Sequence, residues 1–284
     1  MSRIHKPHNI TEALNLLASE PMIPFAGGTD YMVQNRRGSG LAVNPDKTVL
    51  LIGHLPELNF VSKTEGMIQI GAATPLSILH RHPDIPSVLK QAIHEIASVG
   101  IRNLATIGGN ICNASPAADS LPPLYNLNAG IVLRSAAGRR TLSLERFITG
   151  PGNTELRADE ILESISFPAM DYSVGIFRKL GTRKANALSK VAFCGIAFTD
   201  KNVLTMLRMS VGAVAPVVIR LYEAETILTG CIRKDVELKI DAVLKSTADA
   251  INPIDDQRST AAYRRGVTLN LVRQFVLEEI WGEK

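Results

Sequence analysis

Two glycine pairs in similar surroundings are the residues of this 284-residue chain best suited to chemistry: Phe25-Ala26-Gly27-Gly28-Thr29-Asp30 and Ala105-Thr106-Ile107-Gly108-Gly109-Asn110. Glycine reaches positive φ and leaves the main chain bare, so successive N–H groups in such a turn form a concavity for an anion. Two such turns would grip one pyrophosphate from both sides. A single Gly-Gly turn is more often tight punctuation between core elements, so the flanks carry the argument. Thr29 and Asp30, and Thr106 and Asn110, set hydroxyl, carboxylate and amide groups beside N–H donors, the mixture that orients a phosphate and the adjoining ribose. Asp119 lies in the small-residue stretch Asn113-Ala114-Ser115-Pro116-Ala117-Ala118-Asp119-Ser120. It is placed either to accept from ribose hydroxyls or to cap a helix starting near Leu121.

A second chemical signal is Arg178-Lys179-Leu180-Gly181-Thr182-Arg183-Lys184, four cations in seven residues without an acid. Such a run is either a solvated surface or, facing a cofactor, a means of stabilising a phosphate or an electron-rich ring. Other chemistries find no support. There is no G-x-G-x-x-G after a strand, no Walker lysine loop and no H-E-x-x-H helix. No Ser/His/Asp or Cys/His arrangement stands out, no proton donor is identifiable, and the catalytic residues are unassigned. Cys112, Cys194 and Cys231 are far apart and in no ligand spacing, which argues against a disulfide framework, structural zinc or an iron–sulfur cluster. Cys112 reads as a small buried thiol. His5, His8, His80 and His82 have no companions for a metal, and no metal site is expected.

The elements that must hold these residues follow from periodicity and breakers. Asn9-Ile10-Thr11 supplies a polar cap to a short helix over Glu12–Ala18, and Pro21 ends it. Met22–Ala26 reads as a strand entering the first turn, with a helix from Tyr31 to Arg37 beyond it. Thr48–Ile52 reads as a strand, and Phe60–Lys63 with Met67–Ile70 as a hairpin about Thr64-Glu65-Gly66. Ser87–Ile96 and Leu121–Leu127 read as helices, Ile131–Arg134 and Arg140–Leu144 as a hairpin, and Glu160–Phe167 as a strand. Beyond a boundary near Pro168–Ser173 the order changes. Strands at Val174–Lys179, Lys190–Thr199 and Leu204–Val211 precede helices at Glu223–Leu228, Val236–Lys245 and Ala261–Trp281. Strands then helices predict an α+β unit with helices on one face of a sheet. The last helix is expected to bury Val267, Leu271, Phe275 and Ile280 or Trp281.

Length suggests two domains. The chain is 45% hydrophobic and 20% charged, with a net charge of +4. Its cations are scattered and its aromatics only 5%, so no nucleic acid is expected as partner. No apolar run reaches bilayer length, and Met1–His8 lacks a secretory h-region, so no membrane span and a cytoplasmic location are expected.

Taken in order, the two turns and Ala114-Ser115-Pro116-Ala117-Ala118-Asp119 resemble the FAD-binding medium subunit of molybdenum hydroxylases, the xanthine dehydrogenase and carbon monoxide dehydrogenase types. The likeness continues through Asp159–Ile165 and Phe177–Asn186. The resemblance implies a PCMH-type FAD-binding domain (1–170) and a smaller α+β C-terminal domain (171–284). It implies that Ile23, Pro24, Phe25, Ala26, Gly27, Gly28, Thr29 and Asp30 surround the FAD pyrophosphate with Thr106, Ile107, Gly108, Gly109 and Asn110. By the same resemblance Asp119 contacts the ribose, Leu162 and Lys179 lie against the flavin, and Ile96 lines the adenine side. The function implied is electron transfer from a [2Fe-2S] small subunit, working beside a molybdopterin large subunit, through FAD to NAD or another acceptor. The alternatives are a stand-alone flavin reductase sharing the FAD fold, and a scaffold subunit that has lost flavin.

Overall fold

Apolar periodicity and its breakers place most of the elements, which a computed structural model describes over residues 4–36, 38 and 48–282. They gather into two units, each discontinuous in sequence. The first takes the described parts of Met1–Ile85 with Ala97–Ala114 and Ala129–Pro168; the second takes Pro86–Ile96, Ser115–Asn128 and the described parts of Ala169–Lys284.

In the first unit, β1 (Ile4–His5), β3 (Val49–Leu51) and β2 (Ile23–Phe25) form a parallel sheet with β3 central. Between β1 and β2 runs α1 (Ile10–Ser19), started by the Asn9 side chain accepting from the Glu12 N–H. It buries Ile10, Ala13, Leu14 and Leu17, the i, i+3, i+4, i+7 spacing of one helix face, against Met22, Leu50, Ile52, Leu55 and Leu58. A five-stranded antiparallel sheet runs in the order β4 (Val61–Thr64), β5 (Met67–Gly71), β10 (Ile161–Pro168), β6 (Gly130–Ser135), β7 (Gly138–Ser143). Glu65 and Gly66 both have positive φ, 51° and 74°, the two-residue turn that matches strand twist in a hairpin.

Short helices complete this unit: α2 (Tyr31–Gln34), α3 (Leu76–Arg81), α5 (Val99–Leu104), α6 (Ile107–Cys112) and α8 (Leu144–Phe147), with the small hairpin β8 (Ile148–Gly150) and β9 (Asn153–Thr154). The helix expected over Tyr31–Arg37 closes at Gln34, with Asn35 as its C-cap; Arg37 lies outside the described residues. The second glycine pair is not a loop but the first turn of α6, capped by Thr106. Glycine's poor helix propensity hides such a helix from a reading by composition.

The second unit is built on a meander of β11 (Val174–Leu180), β12 (Val191–Asp200), β13 (Val203–Gly212) and β14 (Ile219–Arg220). After it come α9 (Tyr222–Leu228), α10 (Arg233–Ala250) and α11 (Ala261–Leu277). Phe193, Leu207, Met209 and Val211 of the strands pack with Val236, Val243, Val272 and Phe275 of those helices. Alternate residues of β12, Ala192, Cys194 and Ile196, pack instead with Val88 and Ala92 of α4 (Ser87–Glu95). Thus the segment's own helices take one face of its sheet, and earlier chain supplies α4 to the other. The short α7 (Leu121–Asn126) adds a buried Asn126 that donates to the Cys194 carbonyl at 2.9 Å. On α11 the buried stripe is Thr268, Val272, Phe275 and Val276, while Val267 and Leu271 are only partly buried. The expected stripe is thus rotated, because buried polar residues find partners: Arg264 donates to the Ala213 carbonyl and to Asp256, and Thr268 to the Arg264 carbonyl.

Candidate functional site

Strand β2 delivers the chain into residues 26–30, which are half-buried up to Thr29, with Asp30 exposed. Gly28 has φ +67°, and a Cβ there would fall 2.1 Å from the Phe25 ring; that ring meets Tyr31 edge-on at 5.7 Å. No acceptor among the described residues meets the N–H groups of Ala26, Gly27, Gly28, Thr29 or Asp30. Half-buried main-chain donors left unpaired are costly, and a row of them in a positive-φ turn suits the oxygens of a phosphate. The first turn therefore fits a dinucleotide's pyrophosphate.

The second turn lies beside the first, for a Cβ on Gly27 would fall 2.0 Å from the Leu104 carbonyl oxygen and 3.1 Å from the Ala105 Cα. Gln34 of α2 donates to Asp30 at 2.7 Å and to Asn113 at the end of α6 at 3.4 Å. The donors of the second turn, however, are committed. Ile107 N–H goes to the Thr74 carbonyl, Gly108 N–H to Ala72, Gly109 N–H to the Thr106 hydroxyl, and Asn110 N–H to the Thr106 carbonyl. The two turns thus differ: the N–H groups of the first are unmet among the described residues and those of the second are bonded, leaving its exposed surface as bare glycine. Gly109 is exposed, and a Cβ on it would meet only the Thr106 hydroxyl, at 2.9 Å.

Ala72 connects α6 to β10, accepting from Gly108 and donating to the Glu163 carbonyl. Leu162 is buried beside it, where the β10–β6 register shifts. The Glu163 carboxylate is forked by Arg139 at 2.6 Å and Arg134 at 2.8 Å. Burial alone would raise that carboxyl, but the two guanidiniums more than reverse it and hold it below its ordinary value. Glu160 pairs with Arg140 at 2.6 Å in the same hairpin.

In the second unit Asp119 and Lys179 bond to one another, with Lys179 Nζ 2.6 Å from Asp119 Oδ2 and each side chain 6% exposed. Nζ also donates to the Glu95 carbonyl at 2.9 Å, next to half-buried Ile96, and Ser189 donates to Asp119 Oδ1 at 2.5 Å. Burial pushes the Asp119 carboxyl up, opposed by the charge and hydrogen bond of Lys179 and the bond from Ser189. Asp119 does not cap α7, whose N-cap is Ser120. The basic cluster divides: Arg178 pairs with Glu279 at a half-exposed site, Arg183 donates to the Asn186 carbonyl, and of its cations only Lys179 has a buried side chain. Ser189 carries no sequence signature and was not among the expected residues; its distance from Asp119 along the chain hides the contact.

A pocket of about 300 Å³ lies elsewhere in the first unit, lined by Thr11, Asn15, Arg134 and Arg139 among others; none of the expected residues lines it. Among the described residues no group of three His, Cys, Asp or Glu could hold a metal, and no helix is long and apolar enough to cross a membrane. Cys112 is half-buried overall, and desolvation of its thiol pushes the pKa up to about 12.

Residues 1–170 match the family described as the FAD binding domain in molybdopterin dehydrogenase, and residues 176–279 match the CO dehydrogenase flavoprotein C-terminal domain. The chain is 28% identical to a putative xanthine dehydrogenase FAD-binding subunit of Escherichia coli, over 97% of this chain and 95% of that one. It is 33% identical to the nicotinate dehydrogenase FAD-subunit of Eubacterium barkeri, over 79% and 78%. Carbon monoxide dehydrogenase from Hydrogenophaga pseudoflava shares the fold, with a TM-score of 0.86 at 24% identity over 96% of this chain and 95% of that one. The turn that presents its N–H row, the bare glycine beside it and the two matched segments belong together: this chain is a member of the FAD-binding family of molybdopterin dehydrogenases, the medium, FAD-carrying subunit of a molybdenum hydroxylase-type oxidoreductase.

Proposed function

We propose that this chain is the electron-transferring subunit of a multi-subunit molybdenum hydroxylase. It takes electrons from a [2Fe-2S] small subunit, which a molybdopterin large subunit supplies, and passes them to NAD or another acceptor. The observation that carries the reading is the row of N–H groups from Ala26 to Asp30, unmet among the described residues, beside the bare surface of Gly109. FAD, when bound, supplies chemistry that links single-electron donors to two-electron acceptors.

The chain's own residues bind and orient. Ile23–Asp30 furnish the pyrophosphate donors, and Thr106–Asn110 form the wall that lets the phosphates approach. Ile96 serves the adenine side, Leu162 is an apolar backing for the ring system, and Asp119 and Lys179 serve the ribose and flavin. Because Asp119 neutralises Lys179, this lysine brings a hydrogen-bond donor rather than a net positive charge. In this reading residues 1–170 are the FAD-binding domain and 171–284 the C-terminal domain. A cytoplasmic location belongs to the same reading and is supported by Cys112, Cys194 and Cys231 all being free thiols.

The test is Gly109→Val. An added Cβ meets only the Thr106 hydroxyl, so the expected outcome is loss of FAD from a protein that melts within a few degrees of the flavin-free wild type. Unchanged flavin content would remove Gly109 from the site. Anaerobic NADH should bleach the wild-type flavin absorbance; a flavin that other reductants bleach and NADH does not would exclude NAD as the acceptor.

A further inference from the structure

We propose that Ser189 is a positioning residue of the flavin site, acting through Asp119 on Lys179 and on the hairpin loop 181–189. The inference deepens the reading above and rests on it for the part that concerns flavin. The two oxygens of Asp119 divide their labour, Oδ2 taking Lys179 and Oδ1 taking Ser189. A carboxylate held through one oxygen is free to turn about its Cβ–Cγ bond, whereas one held through both has its plane set. Lys179 reaches Asp119 through a flexible four-carbon stem, and its ammonium goes where fixed acceptors hold it. The Glu95 carbonyl is one such acceptor and Asp119 the other.

Ser189 also anchors its own loop. Residues 182–186 and Leu188 are exposed, whereas Ser189 is fully buried. The β11–β12 ladder joins Lys179 to Ala192 and Leu180 to Val191, so the loop closes immediately above the Lys179–Asp119 pair. The Ser189 hydroxyl is the buried polar group that pins the loop's returning end to the Asp119 segment. Without it, Asp119 keeps one partner, and the loop that carries Arg183 and Lys184 is held at its base by the ladder and by the Lys190 ammonium over the Tyr263 ring.

The experiment compares wild type, Ser189→Ala and Ser189→Cys as full chains, first stripped of flavin. Trypsin cleavage is followed site by site by mass spectrometry. A hydrogen bond to a charged group stabilises by about 1.5 kcal/mol, or a factor of about ten. Cleavage after Arg183 and Lys184 in Ser189→Ala should therefore rise about tenfold while sites elsewhere keep their rates. Ser189→Cys, with a weaker donor of similar size, should show a smaller rise. Loop cleavage within twofold of wild type, or an equal rise at every site, overturns the proposal. In the flavin-loaded protein Ser189→Ala should retain FAD with an altered reduction potential; an unaltered potential removes Ser189 from control of Lys179. A wild-type chain unable to bind FAD would defeat the proposed function, while the flavin-free proteolysis would still decide the anchor.

Discussion

Replacing Lys179 by methionine removes the cation from a pair whose side chains are each 6% exposed. Methionine fills similar space, so the cost is electrostatic. Asp119 would stay buried with only Ser189 donating to it, and an uncompensated buried charge of this kind costs about 3–5 kcal/mol. Against a total stability on the order of 5–15 kcal/mol, that is a large loss. It must also depend on pH. Burial already raises the Asp119 pKa above its ordinary value of 3.8 in the wild type. A folded-state value above the unfolded one means that the folded chain holds more protons between the two. The contribution is therefore fully present below the ordinary carboxylate value and is lost as pH rises through the folded one.

Lys179→Met removes the largest influence that lowers Asp119 and extends this window upward. The deficit of the variant should be greatest at neutral pH and shrink on acidification, as Asp119 takes up a proton and ceases to be a buried anion. Urea unfolding at pH 7 and pH 5 measures it, with Asp119→Asn and the double variant completing a cycle. The double variant should recover much of the loss, since it leaves no unpaired charge. A loss below about 1 kcal/mol at pH 7 and no smaller at pH 5 would be the behaviour of a solvated surface pair. It would refute the buried-pair account.

Gly27→Ala drives a Cβ to 2.0 Å from the Leu104 carbonyl, backbone that cannot swing aside; the two turns must part, costing about 1–3 kcal/mol, and flavin retained after gel filtration should fall. Gly28→Ala adds about 1–2 kcal/mol of left-handed strain at φ +67° and displaces the Phe25 ring, so its flavin content should fall as well. Glu163→Gln should cost about 1–3 kcal/mol at pH 7, the share of half-exposed Arg139 being discounted for solvent. The sign of its pH dependence is opposite to that of Asp119. A lowered folded value gives stability present above the ordinary glutamate value of 4.5 and lost as pH falls through the folded one, so acid titration should bring variant and wild type together. Cys112, with its thiol at about 12, should label far more slowly with iodoacetamide at pH 8 than a free cysteine peptide.

Local chemistry made much of this protein legible. Asn9 and Pro21 bracket the first helix and Glu65-Gly66 turns a hairpin, because caps, breakers and turn residues act over a few positions. The glycine pairs were legible as bare backbone for the same reason, and their order along the chain with the Asp119 segment that follows them made the family legible. What lay beyond sequence was the pairing of groups far apart in it. Two donors of the second turn, Ile107 and Gly108 N–H, are taken by Thr74 and Ala72, more than thirty residues away, so two apparently equal turns differ in the donors they leave free. Arg264 and Thr268 lie on the buried face of α11 in place of Val267 and Leu271, Thr268 bonding within its own helix while the Arg264 guanidinium reaches the Ala213 carbonyl and Asp256 only in the folded unit. The basic run looked uniform, yet one of its members is buried and neutralised while its neighbours meet water. Residue type and spacing determined which groups carry donors, bare backbone and charge. Only tertiary structure decided which donors are already satisfied and which charge is matched, because desolvation and pairing are properties of the neighbours a group meets after folding.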